Sequence, residues 1–288
     1  MNPTETERPP RDAASLVLLR DGSAGLEVLL LRRHADSRVM GGVHVFPGGK
    51  LDPTDCSPDA LAALDLAAEQ LLARCDEPAL TPEKAAGLHL AALRETFEEA
   101  GLLLAESADA EARQALADRQ AGGEALADAM AALGLRWKAS AILPWSRWIT
   151  PRHPASGAAF DTRFFLARLP AGQEARHDGY ETTEAVWLAP RQALTLHAEH
   201  RLELVPPQLM SLVKLARHTT VDSAWNEALA ARPPRIQPEA SEVDGERLLY
   251  LPGDPLHSVR ERALPGPTRL HWLPRRFEPV GGFAAWFD

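Results

Sequence analysis

The run Arg94-Glu95-Thr96-Phe97-Glu98-Glu99-Ala100-Gly101-Leu102 constrains this chain more than any other stretch. Upstream of it, Thr81 followed by Pro82 supplies a helix N-cap and a proline at the first helical position. Gly101 supplies the residue that commonly ends a helix in the left-handed conformation. The sequence therefore predicts a helix from Pro82 to Ala100. On it Glu95, Glu98 and Glu99 are related as i, i+3 and i+4, so their carboxylates share one face and repel one another. Glu98 and Glu99 also fall at the negative end of the helix dipole, where anions are disfavoured. A hard divalent cation such as Mg²⁺ or Mn²⁺, which takes oxygen ligands, would turn that repulsion into coordination. Taken alone, the run fits a solvated acidic face equally well.

The residues before the helix decide between these readings. An apolar strand signal, Leu26 to Arg32, runs into a basic loop that ends in Phe46-Pro47-Gly48-Gly49, and the two glycines allow a tight turn. Arg94 to Leu102 resembles the second half of the Nudix box, G-x5-E-x7-R-E-U-x-E-E-x-G-U with U aliphatic, and Gly49 matches its opening glycine. The upstream segment resembles the coenzyme A signature of one Nudix subgroup. Arg33, Arg38, Gly42, Phe46, Pro47, Gly48 and Gly49 fall at its spacing, whereas Leu31 and His34 depart from it. The box itself is split, with Gly49 and Arg94 standing 45 positions apart where the pattern needs 14. Its first glutamate has no clear equivalent: counting forward from Gly49 reaches Asp55, and counting back from Arg94 reaches Ala86. A split of this kind, with Trp145 to Pro151 and Phe160 to Phe165 further on, resembles the peroxisomal coenzyme A diphosphatase branch of the family. The resemblance covers roughly residues 13 to 218.

This resemblance implies an α+β protein, an α/β/α sandwich with a mixed β-sheet between helices. A flexible start (1–12) precedes a domain over 13–232, with helical insertions at about 57–88 and 105–134. The resemblance does not reach the proline-rich extension (233–288), which is expected from its own aromatics to pack on the domain or on a partner subunit. It also implies metal-dependent hydrolysis of a nucleoside diphosphate-linked substrate, coenzyme A or acyl-coenzyme A first. ADP-ribose or another dinucleotide is the alternative within the family, and a non-catalytic nucleotide sensor is the alternative outside catalysis. By resemblance Glu95, Glu98 and Glu99 hold the Mg²⁺ or Mn²⁺, Arg94 orients them, and the general base is Glu95 or, on a downstream loop, Glu184. Two arginines in one loop, Arg33 and Arg38, suit phosphate recognition by charge-assisted hydrogen bonds. Phe46 and Trp148 offer rings that either stack on adenine or fill the core, since both adjoin strand-like sequence.

Composition agrees. A net charge of −9 argues against a nucleic-acid partner, which needs clustered Lys and Arg, but leaves room for a small anionic nucleotide bound by local metals and arginines. The two cysteines, Cys56 and Cys75, lack C-x-x-C spacing and suit a reducing compartment. No apolar run approaches the length of a membrane span, the start lacks a signal peptide's apolar core, and the terminal Ala-Trp-Phe-Asp is not a peroxisomal address, so the expectation is cytoplasmic. His197 and His200, at i and i+3, read as a solvated helix face rather than a metal pair. After Arg232, nine prolines fall between Pro233 and Pro279, with strand signals only at Leu248–Leu251 and Arg269–Leu273. The tail's aromatics argue against free disorder and offer a contact for a homodimer.

Overall fold

The computed structural model describes residues 9–37, 41–151, 159–243, 245–274 and 276–288. The chain opens with a hairpin, β1 (Arg11–Gly22) and β2 (Gly25–Arg33), paired antiparallel from Leu19↔Val28 to Gly22↔Gly25. Short strands β3 (His44–Val45) and β4 (Gly48–Lys50) follow. Three helices come next, α1 (Pro58–Ala62), α2 (Ala68–Cys75) and α3 (Pro82–Ala100). The small strands β5 (Ala105–Glu106) and β6 (Arg136–Trp137) pair around α4 (Ala110–Ala121) and α5 (Leu126–Ala132). The sheet resumes with β7 (Ile142–Ile149), β8 (Phe160–Arg168) and β9 (Thr182–Leu188). Helices α6 (Pro190–Ala198), α7 (Pro206–Leu215) and α8 (Val221–Ala230) lead to β10 (Arg235–Ile236).

The main sheet runs β10-β7-β8-β1-β2-β3, with β4 attached to β1 and β9 to β2. β1 and β8 are parallel and β7 and β8 antiparallel, so the sheet is mixed. Both of its faces are covered. Leu16, Leu18, Leu29 and Leu31 pack on the side of α3 with Leu88 and Leu93, while Val17, Leu19, Val28 and Leu30 pack on the opposite side with Leu209 and Leu212 of α7. Burial on both faces explains why β1 and β2 read as near-continuous apolar runs rather than alternating ones. The α/β/α layering expected from sequence is thus present.

Helix α3 matches its expected bounds because its ends are encoded locally. The Thr81 side chain accepts from the Lys84 N–H at 3.3 Å, and Gly101 closes the helix at φ +67° with its N–H donating to the Phe97 carbonyl at 2.9 Å. The helical insertion expected at about 57–88 is instead broken between α1 and α2. There Trp137 donates to the Ala63 carbonyl at 2.8 Å, Asp65 donates its N–H to the Trp137 carbonyl at 3.0 Å, and the Asp65 carboxylate takes the Ser140 N–H at 3.0 Å. A tertiary bridge overrides helix propensity at that point.

The proline-rich extension is more ordered than its two strand signals suggested. Four strands, β11 (Glu239–Val243), β12 (Glu246–Tyr250), β13 (Arg269–Leu273) and β14 (Arg276–Pro279), form an antiparallel meander. Leu249, Leu251, Leu270 and Trp286 join the core on the α7 side, so the extension packs on its own chain. Its prolines sit mainly outside the strands or at a strand end, where no ladder hydrogen bond is lost. Among the described residues no helix is long and apolar enough to cross a membrane.

Candidate active site

The site forms where the last turns of α3 pass beneath the Gly48-Gly49 turn. β4 pairs with β1 at Ser15↔Gly48 and Ala14↔Gly49, which brings the turn against the carboxylates. The Gly48 N–H donates to Glu99 Oε2 at 2.9 Å. A side chain at either glycine would collide: a Cβ at Gly48 would lie 2.4 Å from the Ala14 carbonyl oxygen, and one at Gly49 2.3 Å from Glu95 Cδ. Gly48 is therefore required by close approach to the β1 backbone, whereas at Gly49 the obstacle is the flexible Glu95 carboxylate.

Arg94 organises the cluster. Its Nε and Nη2 donate to the two carboxylate oxygens of Asp55 at 3.0 Å each, and its Nη1 donates to Glu95 and Glu98 at 2.9 Å each. Burial works against the guanidinium charge, but the bonds to Asp55 and the charges of Glu95 and Glu98 outweigh it and hold its pKa above the usual value. Asp55 is 3% exposed and also accepts the Asp52 N–H at 2.9 Å. The forward count from Gly49 thus lands on the residue that grips the box arginine, across a sequence separation of 39. The pattern's first glutamate, without a clear equivalent in sequence, has a shorter carboxylate in this place.

The three glutamates differ sharply in environment. Glu99 is 3% exposed, and burial pushes its carboxyl up to about 8; the Gly48 N–H and Arg33 oppose the rise, while Glu95 and Glu181 add to it. Glu95 is raised as well, first by burial, with Arg94 opposing. Glu98 is the most open of the three, with its side chain 42% exposed. Among the described residues no three His, Cys, Asp or Glu side chains are gathered at metal-binding distances, and Arg94 holds Glu95 and Glu98. The donor set nonetheless fits a hard divalent cation. It is all carboxylate oxygen, and its innermost member loses its charge by burial unless a cation is supplied.

Arg33, at the end of β2, lies close enough for its charge to favour ionised Glu99. Its Nε is buried without a hydrogen-bond partner among the described residues, as suits a group awaiting an anion. Arg38 lies outside the described residues. Glu184 is on β9 and faces His44, with its Oε2 3.8 Å from Nε2. The nearby residue whose charge reaches both Glu95 and Glu99 is Glu181, three positions earlier. Phe46 and Trp148 are core side chains, 2% and 4% exposed, with Phe46 edge-on to Phe164 at 6.2 Å between centroids. The stacking alternative for these two rings therefore falls away, because neither has a face open to a ligand. His197 is likewise buried rather than solvated: its two ring nitrogens contact the carbonyls of Leu202 and Phe277 at 3.1 and 2.9 Å, fastening α6 to β14. A cavity of about 150 Å³ opens elsewhere, beside Cys75, Ser146, Arg147 and Arg163. Of its three arginines, Arg147 and Arg163 are already paired with Glu77 and Asp161, and Arg235 donates to Gln237 at 2.8 Å.

A mixed sheet between helices, with an acidic helix end lying beneath a Gly-Gly turn, is the arrangement of a Nudix hydrolase. The crystal structure of a NUDIX hydrolase from Alicyclobacillus acidocaldarius is similar at a TM-score of 0.59 and 29% identity, covering 79% of this chain and 98% of that one. The model of the NUDT19 Nudix domain matches residues 5–215, and the chain belongs to that family. The acyl-coenzyme A diphosphatase NUDT19 of Xenopus laevis is 26% identical over 281 residues, covering 83% of this chain and 73% of its own length. Its Gallus gallus counterpart is 27% identical over 310 residues, covering 86% and 79%.

Proposed function

We propose that this hydrolase cleaves the diphosphate of coenzyme A or an acyl-coenzyme A, releasing a phosphopantetheine compound and adenosine 3′,5′-bisphosphate. The observation that carries the reading is Arg33 beside the box carboxylate Glu99: its charge reaches Glu99, and its buried Nε lacks a partner among the described residues. The relatives named as acyl-coenzyme A diphosphatases support the choice of substrate.

Glu95, Glu98 and Glu99 would hold Mg²⁺ or Mn²⁺, which when bound neutralises diphosphate oxygens and acidifies a water. Arg94, gripped by Asp55, keeps Glu95 and Glu98 from turning away from one another. The Gly48 N–H fixes Glu99 in one orientation. Arg33 binds the diphosphate by charge. Glu95 is the better placed of the two candidate bases: it lies inside the cluster with its proton affinity raised by burial, whereas Glu184 pairs with His44.

The test is incubation of the purified protein with Mg²⁺ or Mn²⁺ and a panel of coenzyme A, acetyl-coenzyme A, ADP-ribose, NADH and diadenosine polyphosphates, with products identified by mass. Adenosine 3′,5′-bisphosphate from the coenzyme substrates is the expected result. Preference for ADP-ribose would overturn the substrate assignment, and no turnover of any member would favour a sensor.

A further inference from the structure

With Phe46 and Trp148 buried, Tyr180 stands out among the described residues as a fully open aromatic ring on the turn next to the Glu99 end of α3, 87% exposed. It sits at the tip of the turn entering β9, and the turn is firmly built. Asp178 Oδ1 accepts from the N–H groups of Tyr180, Glu181 and Thr182 at 3.0, 3.1 and 2.8 Å, and from Thr182 Oγ1 at 3.0 Å. Gly179, at φ +74°, lets the chain reverse, and its N–H donates to the Thr182 carbonyl at 3.0 Å.

This turn is fastened to both halves of the site. Toward the acidic helix, the Arg176 N–H donates to the Ala100 carbonyl at 2.9 Å, and Thr182 Oγ1 lies 3.5 Å from the Glu99 carbonyl. Toward the arginine strand, the His34 N–H donates to the Glu181 carbonyl at 2.8 Å, and Thr182 is the register partner of Arg33. A large apolar ring is thus held in water on an ordered turn between the Glu99 end of α3 and Arg33. Core packing gives no reason for that placement.

The geometry points to Tyr180 as the stacking platform for the substrate's nucleobase, an inference that rests on the nucleoside diphosphate reading above. Its neighbours along the chain, Asp178 and Glu181, carry negative charge and disfavour phosphate at the tip, so the uncharged part of the ligand is what the tip can accept. A flat base gains most from a flat, preordered ring, and a base–aromatic stack contributes enough that removing the ring costs about ten- to a hundredfold in affinity. The flexible pantetheine arm has no such matching face.

The experiment compares wild type, Tyr180→Ala and Tyr180→Phe on coenzyme A and on a phosphopantetheine methyl diphosphate, which keeps the scissile bond but has no base. Quenching of etheno-ADP fluorescence is measured in parallel as a direct reading of stacking. Tyr180→Ala raises KM for coenzyme A about tenfold or more with kcat within about twofold, shifts KM for the base-free diphosphate less than about twofold, and abolishes the quenching. Tyr180→Phe restores wild-type KM and quenching, because the ring and not the hydroxyl is used. An unchanged KM for coenzyme A in Tyr180→Ala overturns the inference, as does an equal penalty on the base-free substrate, which would assign Tyr180 to the pantetheine half. If wild type hydrolyses neither diphosphate, the functional reading fails by itself, and the quenching pair then decides the stacking: loss in Tyr180→Ala sustains it, and persistence overturns it.

Discussion

Glu99→Gln should make the metal-free protein more stable while destroying its activity, and the size of the gain can be worked from the site. Burial raises the Glu99 carboxyl from an ordinary 4.5 to about 8. A carboxyl whose folded value exceeds its unfolded value favours folding in its protonated form. That contribution is complete below 4.5 and is lost as pH rises toward 8. At pH 7 the unfolded chain has released the proton and the folded chain retains it, so the loss is about 3 kcal/mol at 1.36 kcal/mol per pH unit. Glutamine has the same shape, can still accept the Gly48 N–H, and does not titrate. Chemical unfolding in EDTA at pH 5, 7 and 9 should therefore show wild type losing stability with rising pH relative to the variant. The gap should open to about 3 kcal/mol by pH 7 and reach about 5 kcal/mol by pH 9, where the folded carboxyl has also ionised. Mg²⁺ or Mn²⁺ should narrow the gap in wild type only, by binding the ionised folded form. Parallel stability curves for the two proteins across this range would refute the argument that Glu99 is held uncharged in the absence of a cation.

Three further outcomes follow from neighbouring groups. Glu98→Gln, at the most open of the three glutamates, should abolish turnover and weaken divalent-metal binding with the melting temperature within a few degrees of wild type; retained activity would overturn the metal assignment. Asp55→Asn should destabilise the fold by about 3 kcal/mol and lower kcat, since it leaves the largely buried Arg94 with a weakened partner; calorimetry and steady-state rates at saturating substrate check both. His89, wholly buried on α3 against Phe165, has its pKa lowered from 6.5 to about 4 first by burial. Its neutral form favours folding, so that contribution is intact above 6.5 and lost as pH falls toward 4, by about 3 kcal/mol. In the Glu99→Gln background, where the opposing carboxyl is absent, His89→Gln should flatten the loss of stability between pH 6.5 and 4, and an unchanged slope would refute it.

Local chemistry made much of the site legible in the sequence. The caps at Thr81 and Gly101 and the i, i+3, i+4 spacing of Glu95, Glu98 and Glu99 fix a helix and its charged face through contacts within a few residues. Gly48 and Gly49 were readable as a tight turn, and at Gly48 a side chain would meet the backbone of β1. The apolar run from Leu26 to Arg32 likewise announced a strand, and the structure shows it buried on both faces.

What the sequence could not decide depends on which distant segments meet. Asp55 and Ala86 were equal candidates by counting, and only the packing of the inserted segment against α3 brings the Asp55 carboxylate to both arms of Arg94. Phe46 and Trp148 carry the same rings whether they stack on a ligand or fill the core, and their burial is set by the sheet around them. In a strand the pairing register decides which face a side chain occupies, and that is a property of two segments at once. Glu184 and Glu181 show the same rule: on β9 the first is directed to His44, while the charge of the second reaches Glu95 and Glu99 from the turn before it. The extension's four-stranded meander is also tertiary in origin, since its short strands become stable by pairing with one another and burying Leu249, Leu270 and Trp286 against the α7 side of the domain. The sequence by itself thus determined the helix, the turn and the charges they carry, because short-range sterics and spacing specify them. Which carboxylate grips Arg94, and which aromatic remains open to a substrate, was decided only when the sheet closed its long-range pairings.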